Sequence, residues 1–388
     1  MSSRHLKILA VSTDYPPLIG GIATLSSQVV RELVDMGHEV RVICGKPGGS
    51  DPVTGAPCAD TCPHFSTGGS LGQREWAVYR QLQQQTREFD PDLIWSSTWF
   101  PGAAMATLAG LRERGTIQCF SAYVSEIVPN TSDLKQRVKG LLGPLRTRTI
   151  RNADRILAIS RYTREQVVAL GASPERVSVV PGGVAPVWFG HAPATFTGEP
   201  RMITIARLDE HKGHDVVISA LPELVKATPD LVWDVVGPGP QDRLRRLACE
   251  LGVEKHVRFH GRMEFSAMLD LTAMATVFVM PSREMPGRPD LIEGFGLVYL
   301  EAAALGVPSV AGRSGGIPDA VEEGITGYLV EPTSPQEVAD RVGRLLREPE
   351  LAHRMGQVAR DRAAREFTWR RVVERMLTEL GPHLRAEA

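Results

Sequence analysis

The sequence predicts an α/β protein built from two doubly wound domains, and three observations carry that prediction. Its 388 residues exceed one ordinary domain, at roughly 100 to 200 residues each. Strand-length apolar runs alternate with amphipathic helical stretches along the chain, the pattern of parallel sheets covered on both faces. The alternation restarts after residue 200, beyond a segment, 181–200, in which 8 of 20 residues are Gly or Pro.

In the first half, Lys7 to Ser12 reads as a buried strand. Ile22, Leu25, Val29, Val30 and Leu33 then fall at helical spacing up to a stop at Gly37. Further strands are expected at Glu39 to Ile43, Asp92 to Ser96 and Arg155 to Ile159. The second half opens with a strand at Met202 to Ala206 and a helix over 214–226. Strands at Leu231 to Val236, 257–260 and Thr276 to Met280 follow, separated by helices over 241–251 and 264–274. A last helix is expected over 366–385. Ligands of doubly wound sheets bind at the carboxyl ends of strands, so chemistry is sought there.

Composition removes several function classes. With 44 basic and 45 acidic side chains, the chain has no global electrostatic case for coating nucleic acid. Residues 1–189 hold 20 basic and 16 acidic groups (+4), the remainder 24 and 29 (−5), an asymmetry too mild to identify a partner. No apolar run approaches the roughly 18 residues of a spanning helix, and the apolar stretch from Leu6 to Val11 is short for a signal peptide. Five cysteines form no even disulfide framework, so a reduced, cytoplasmic protein is expected.

Three constellations carry chemistry. The loop Asp14 to Ile22 pairs Gly20 with Gly21 at a helix start, where backbone N–H groups can approach an oxyanion; a plain tight turn is the equal alternative. Arg207 and Lys212 follow the first strand of the second half, spaced to straddle a diphosphate or to lie in a solvated charged loop. Gly237-Pro238-Gly239 makes a further tight strand-to-helix turn. Glu293 and Glu301 flank the junction of a glycine-loosened loop and a helix, with Gly296 near the helix start. One ligand could touch Glu293, the amides of Gly296 and Leu297, and Glu301 in turn.

Together with Pro281-Ser282, the run from Glu301 to Pro308, and Gly315 to Pro318, these motifs resemble the retaining GT-B glycosyltransferases of family 4 over nearly the whole chain. The resemblance implies two Rossmann-like domains facing a central cleft. Residues 1–187 would bind the acceptor, 188–365 the nucleotide sugar, and a helix in 366–388 would cross back to the first domain. It implies that Gly20 and Gly21 approach the donor diphosphate, and that Arg207 and Lys212 neutralise it as it leaves. Glu293 would hydrogen-bond the transferred sugar. The amides of Gly296 and Leu297 would hold the distal phosphate, and Gly237 and Phe295 would also line the donor site. Glu301 would accept from the ribose, and Arg262 and Met263 would read the base. Many members carry a histidine near the donor sugar; here Tyr123 falls at its place, with Glu126 retained as an acceptor contact. A tyrosine would be a poor base at neutral pH.

The implied activity is metal-independent transfer of a hexosyl unit (glucose, N-acetylglucosamine or mannose type), with a nucleotide sugar as co-substrate and no further cofactor. A UDP-linked donor and a small polyol or sugar acceptor are expected, such as an aminocyclitol of antibiotic biosynthesis. The alternatives are mannosyl transfer from GDP-mannose to an inositol phospholipid and a non-catalytic sugar-nucleotide sensor. A nicotinamide-dependent dehydrogenase is disfavoured, because neither half has a glycine fingerprint with a ribose-binding acid. The basic segment 133–151, with six cations and one acid, could rest peripherally on the inner membrane face or be a docked helix. Asp90-Pro91-Asp92 reads as a strand entry rather than a metal site, and Cys58, Cys62 and His64 lack a fourth zinc ligand. The sequence does not indicate an oligomeric state.

Overall fold

A computed structural model describes residues 5–18, 20–45, 62–70, 72–111, 116–128, 142–191, 200–381 and 384. The chain divides into two compact units, Met1–Gly183 with Trp369–Ala388, and Val184–Thr368. The first crossing thus falls four residues before the expected boundary at 187.

The N-terminal unit contains β1 (Lys7–Ser12), β2 (Glu39–Cys44), β3 (His64–Ser66), β4 (Leu93–Ser96), β5 (Ile117–Ala122), β6 (Arg155–Ala158) and β7 (Val177–Val179). They form one sheet in the order β3-β2-β1-β4-β5-β6-β7, and each recorded pair is parallel. Leu9, Ile43, Ile94 and Ile156 are sealed from water, which is why these strands read as near-continuous apolar runs.

The C-terminal unit holds β8 (Arg201–Ile205), β9 (Val232–Val236), β10 (Val257–Gly261), β11 (Val277–Met280), β12 (Ser309–Gly312) and β13 (Gly327–Val330). Their order is β10-β9-β8-β11-β12-β13. Both sheets therefore reverse direction beside their first strand, between β1 and β4 and between β8 and β11, the switch points where doubly wound folds leave a crevice for ligand. The helix His214–Ala227 buries Val217, Ile218, Leu221 and Leu224 at spacings of one, three and three, and the helix Pro335–Arg347 adds Val338, Val342 and Leu345. Truncating a core leucine such as Leu221 to Ala costs about 2–5 kcal/mol in comparable cores.

The last helix is shorter than the expected 366–385. It spans Trp369–Leu380, because Phe367 and Thr368 leave helical geometry after the helix Pro349–Glu366. It belongs to the N-terminal unit, burying Trp369, Val372, Val373, Met376 and Leu380. The two crossings lie side by side: Val184 donates its N–H to Phe367 O at 2.7 Å, and Gly183 leaves room for the Trp369 ring, which a Cβ there would meet at 2.7 Å. Of the basic segment 133–151, residues 133–141 lie outside the described residues. The remainder enters the helix Gly143–Asn152, with Pro144 in its first turn and Thr149 and Ile150 buried.

Candidate functional site

The C-terminal switch point is flanked by the loop after β8 and the loop after β11. The first carries Arg207 and Lys212. Its path is set by backbone packing: Ala206 N donates to Val236 O at 2.9 Å and Leu208 N to Pro238 O at 3.0 Å. Gly237 sits so close that a Cβ would lie 1.9 Å from Ala206 O. That contact accounts for the glycine within the fold itself. Gly237 N donates to Gly261 O at 2.8 Å, placing exposed Arg262 and half-buried Met263 beside this turn.

Lys212 ends a single 3₁₀ turn, Glu210–Lys212, held from the neighbouring loop by the Arg283 N–H to His211 O bond at 2.8 Å. Gly213 follows at φ +77°, where a Cβ would lie 2.4 Å from Pro281 O. Lys212 Nζ lies 2.5 Å from Glu293 Oε2, both side chains being largely buried, at 16% and 17% exposure. Arg207 instead projects outward and pairs with Asp209 at 2.8 Å.

Glu293 is fixed through its own carbonyl, which accepts from Gly316 N at 2.9 Å; a Cβ on Gly315 would lie 2.4 Å from that oxygen. Gly296, at φ +91°, begins the helix Leu297–Ala304 with no side-chain cap. A Cβ there would strike the Tyr299 ring at 2.4 and 2.5 Å. Tyr299 anchors the helix by donating to Met280 O at 2.7 Å, and Phe295 is buried against Phe367. Glu301 is half-buried, and its carboxyl finds no hydrogen-bond or ion-pair partner among the described residues. Burial pushes it up to about 7. An anion-receptive helix start thus lies between two carboxylates and beside a buried lysine, an arrangement that suits a phosphate-and-sugar ligand.

Two buried neighbours of Lys212 were not singled out by sequence reasoning. His211 and His214 flank the Lys212 turn, both buried, and burial with the adjacent ammonium lowers each to about 4. They therefore add no positive charge at neutral pH. Only their adjacency to Lys212 could have signalled this.

The remaining expected site residues lie in the N-terminal unit. Gly20 has extended backbone and Gly21 opens the helix Gly21–Asp35. A Cβ on either meets no described atom within 4 Å, so the packing shown does not itself demand glycine. Tyr123 directly follows β5, but its ring is turned into the unit, beside a cavity of about 20 Å³ shared with Leu25, Val29, Trp95, Leu157, Val372 and Met376. Burial raises its phenol well above the usual tyrosine value, a setting for packing rather than for a base. Glu126 lies in the short helix Val124–Ile127, its carbonyl accepting from Trp99 Nε1 at 2.6 Å. Asp92 accepts from Lys7 N at 2.9 Å, and Asp90 terminates the helix Gln73–Phe89 in a left-handed conformation. Cys58 lies outside the described residues.

Comparison with known proteins gives this geometry a context. Residues 191–362 match the family described as glycosyl transferases group 1, and 20–183 the glycosyl transferase 4-like domain. A GDP-mannose-dependent alpha-(1-6)-phosphatidylinositol monomannoside mannosyltransferase of Mycolicibacterium smegmatis is 32% identical over 377 residues, covering 94% of this chain and 95% of that protein. A glycogen synthase of Mycobacterium tuberculosis is 28% identical over 95% of this chain and 92% of its own length. Among solved structures, HepE of Anabaena in complex with UDP-glucose superposes with a TM-score of 0.75 at 20% identity, over 97% of this chain and all of that one.

Proposed function

The chain belongs to the group 1 glycosyltransferases of GT-B fold, and from that premise we propose that it transfers a mannosyl unit from GDP-mannose to a hydroxyl of an inositol-bearing acceptor. The observation that carries the transfer chemistry is the grouping of Lys212, Glu293, the uncapped start of helix Leu297–Ala304 and the unpaired Glu301 at one switch point. In this reading the helix start receives the distal phosphate. Glu301 accepts from the ribose hydroxyls, and Arg262 and Met263 border the base. Lys212 and Arg207 stabilise the diphosphate as the bond from the sugar C1 to its oxygen breaks, the largest electrostatic demand of the reaction. Glu293 accepts from a hydroxyl of the sugar, and the acceptor oxygen attacks C1 with retention of configuration. In this reading Lys212 and Arg207 supply the charge compensation that other transferases take from a divalent ion, and the transfer proceeds without a metal.

The M. smegmatis relative, a GDP-mannose-dependent phosphatidylinositol monomannoside mannosyltransferase, supports GDP-mannose and an inositol acceptor over the UDP-linked donor and aminocyclitol expected from sequence. A thermal-shift panel of GDP-mannose against UDP-, ADP- and dTDP-hexoses tests this choice. Stabilisation by GDP-mannose alone is the expected result, and stabilisation by a UDP-hexose alone would replace the donor while leaving the site intact. Turnover of any donor with an acceptor would exclude the sensor.

A further inference from the structure

We infer that Glu293 is also the positioning partner of Lys212 in the ligand-free site, so that donor binding is an exchange of one anion for another. This rests on the reading of the switch point as a donor site. Lys212 and Glu293 are 81 residues apart in sequence, yet their polar atoms lie 2.5 Å apart. Each loop is tied down by its own backbone contacts, at Arg283 and Pro281 for Lys212 and at Gly315 and Gly316 for Glu293. The fold therefore fixes the spacing of the pair, and its low exposure limits screening by solvent.

The nearby charges leave Lys212 to Glu293. Asp209 is paired with Arg207, Asp215 with Arg283 and Arg243, and Glu210 with Arg243. His211 and His214 are uncharged at neutral pH. An arriving diphosphate competes with the Glu293 carboxylate for the Lys212 ammonium. With a sugar attached, the displaced carboxylate gains hydroxyl donors in exchange. With the bare diphosphate product it gains none and competes to recapture the lysine. Glu293 thus selects for the intact donor and favours expulsion of the product.

The test measures binding of inorganic pyrophosphate, GDP and UDP by titration calorimetry to wild type, Glu293→Gln, Glu293→Ala, Lys212→Ala and Lys212→Ala/Glu293→Gln. Removing the competing carboxylate should tighten pyrophosphate and the bound nucleotide by about tenfold, the scale of a partly buried charge contact. It should give no gain in the Lys212→Ala background. Affinity unchanged or weakened in both Glu293 variants, with Lys212→Ala still weakening it, would overturn the exchange and leave the donor site standing. Unchanged affinity in Lys212→Ala as well would remove the donor-site reading itself.

Discussion

The carboxyl of Glu301 is half-buried and has no partner among the described residues, and this leaves a titration within reach of experiment. Its folded value, about 7, stands above the ordinary 4.5, so ionisation costs folding stability between those values. The ligand-free protein should lose stability from this group as pH rises from 5 to 8. Glu301→Gln should therefore gain melting temperature relative to wild type at pH 8 and little at pH 5. Donor binding runs the other way, because the ionised form accepts better from two ribose hydroxyls. Affinity for the sugar nucleotide should strengthen as pH rises through about 7, and the profile should flatten in Glu301→Gln. Glu301→Ala should raise the donor dissociation constant about 10- to 150-fold, matching roughly 1.5–3 kcal/mol for a charged hydrogen bond. A variant with wild-type affinity at both pH values would place Glu301 outside the site. Lys212→Ala and Arg207→Ala should each lower turnover about 100-fold, checked under saturating donor. The candidate residues of the C-terminal unit were legible as candidates because most lie just past a strand end or about a glycine-marked helix start. The pairing of Lys212 with Glu293 was not, since it joins loops distant in sequence, and neither was the inward turn of the Tyr123 ring, because a strand-end position does not reveal which way a ring points.

At the scale of elements, glycines separate into two kinds that sequence alone leaves mixed. Gly296 combines φ +91° with a Tyr299 ring where its Cβ would be, so Gly296→Ala should cost about 2 kcal/mol or more and disorder the helix start. Gly21 has open space around it. Gly21→Ala should leave folding stability equal or slightly higher, by about 0.5–1 kcal/mol at most, while weakening turnover if a ligand oxygen must approach that backbone. Unimpaired turnover in Gly21→Ala would make the loop a plain turn. Most strands of the C-terminal unit were legible to within a residue or two, because buried parallel strands are apolar on both faces. Short strands such as β3 and β7 were not, having three residues each and no run to recognise.

For the whole molecule, the doubly wound class of both halves was legible in the strand–helix alternation, but the strand order and the point where the chain passes between units were not. Gly183 and Trp369 pack together at that point, and neither residue advertises the contact locally. No helix of the described residues is long and apolar enough to cross a membrane. If Lys212 and Arg207 carry the charge compensation, excess EDTA should change the transfer rate by no more than about twofold, whereas manganese-restored activity after chelation would require a metal site. The central claim is that the switch point of the C-terminal unit binds a nucleoside diphosphate sugar through Lys212 and Glu301. Titration of GDP-mannose, with UDP-glucose as the alternative donor, into wild type, Lys212→Ala and Glu301→Ala tests it directly. One sugar nucleotide should bind wild type and lose at least about tenfold in affinity in each variant; equal binding by all three proteins would contradict the account.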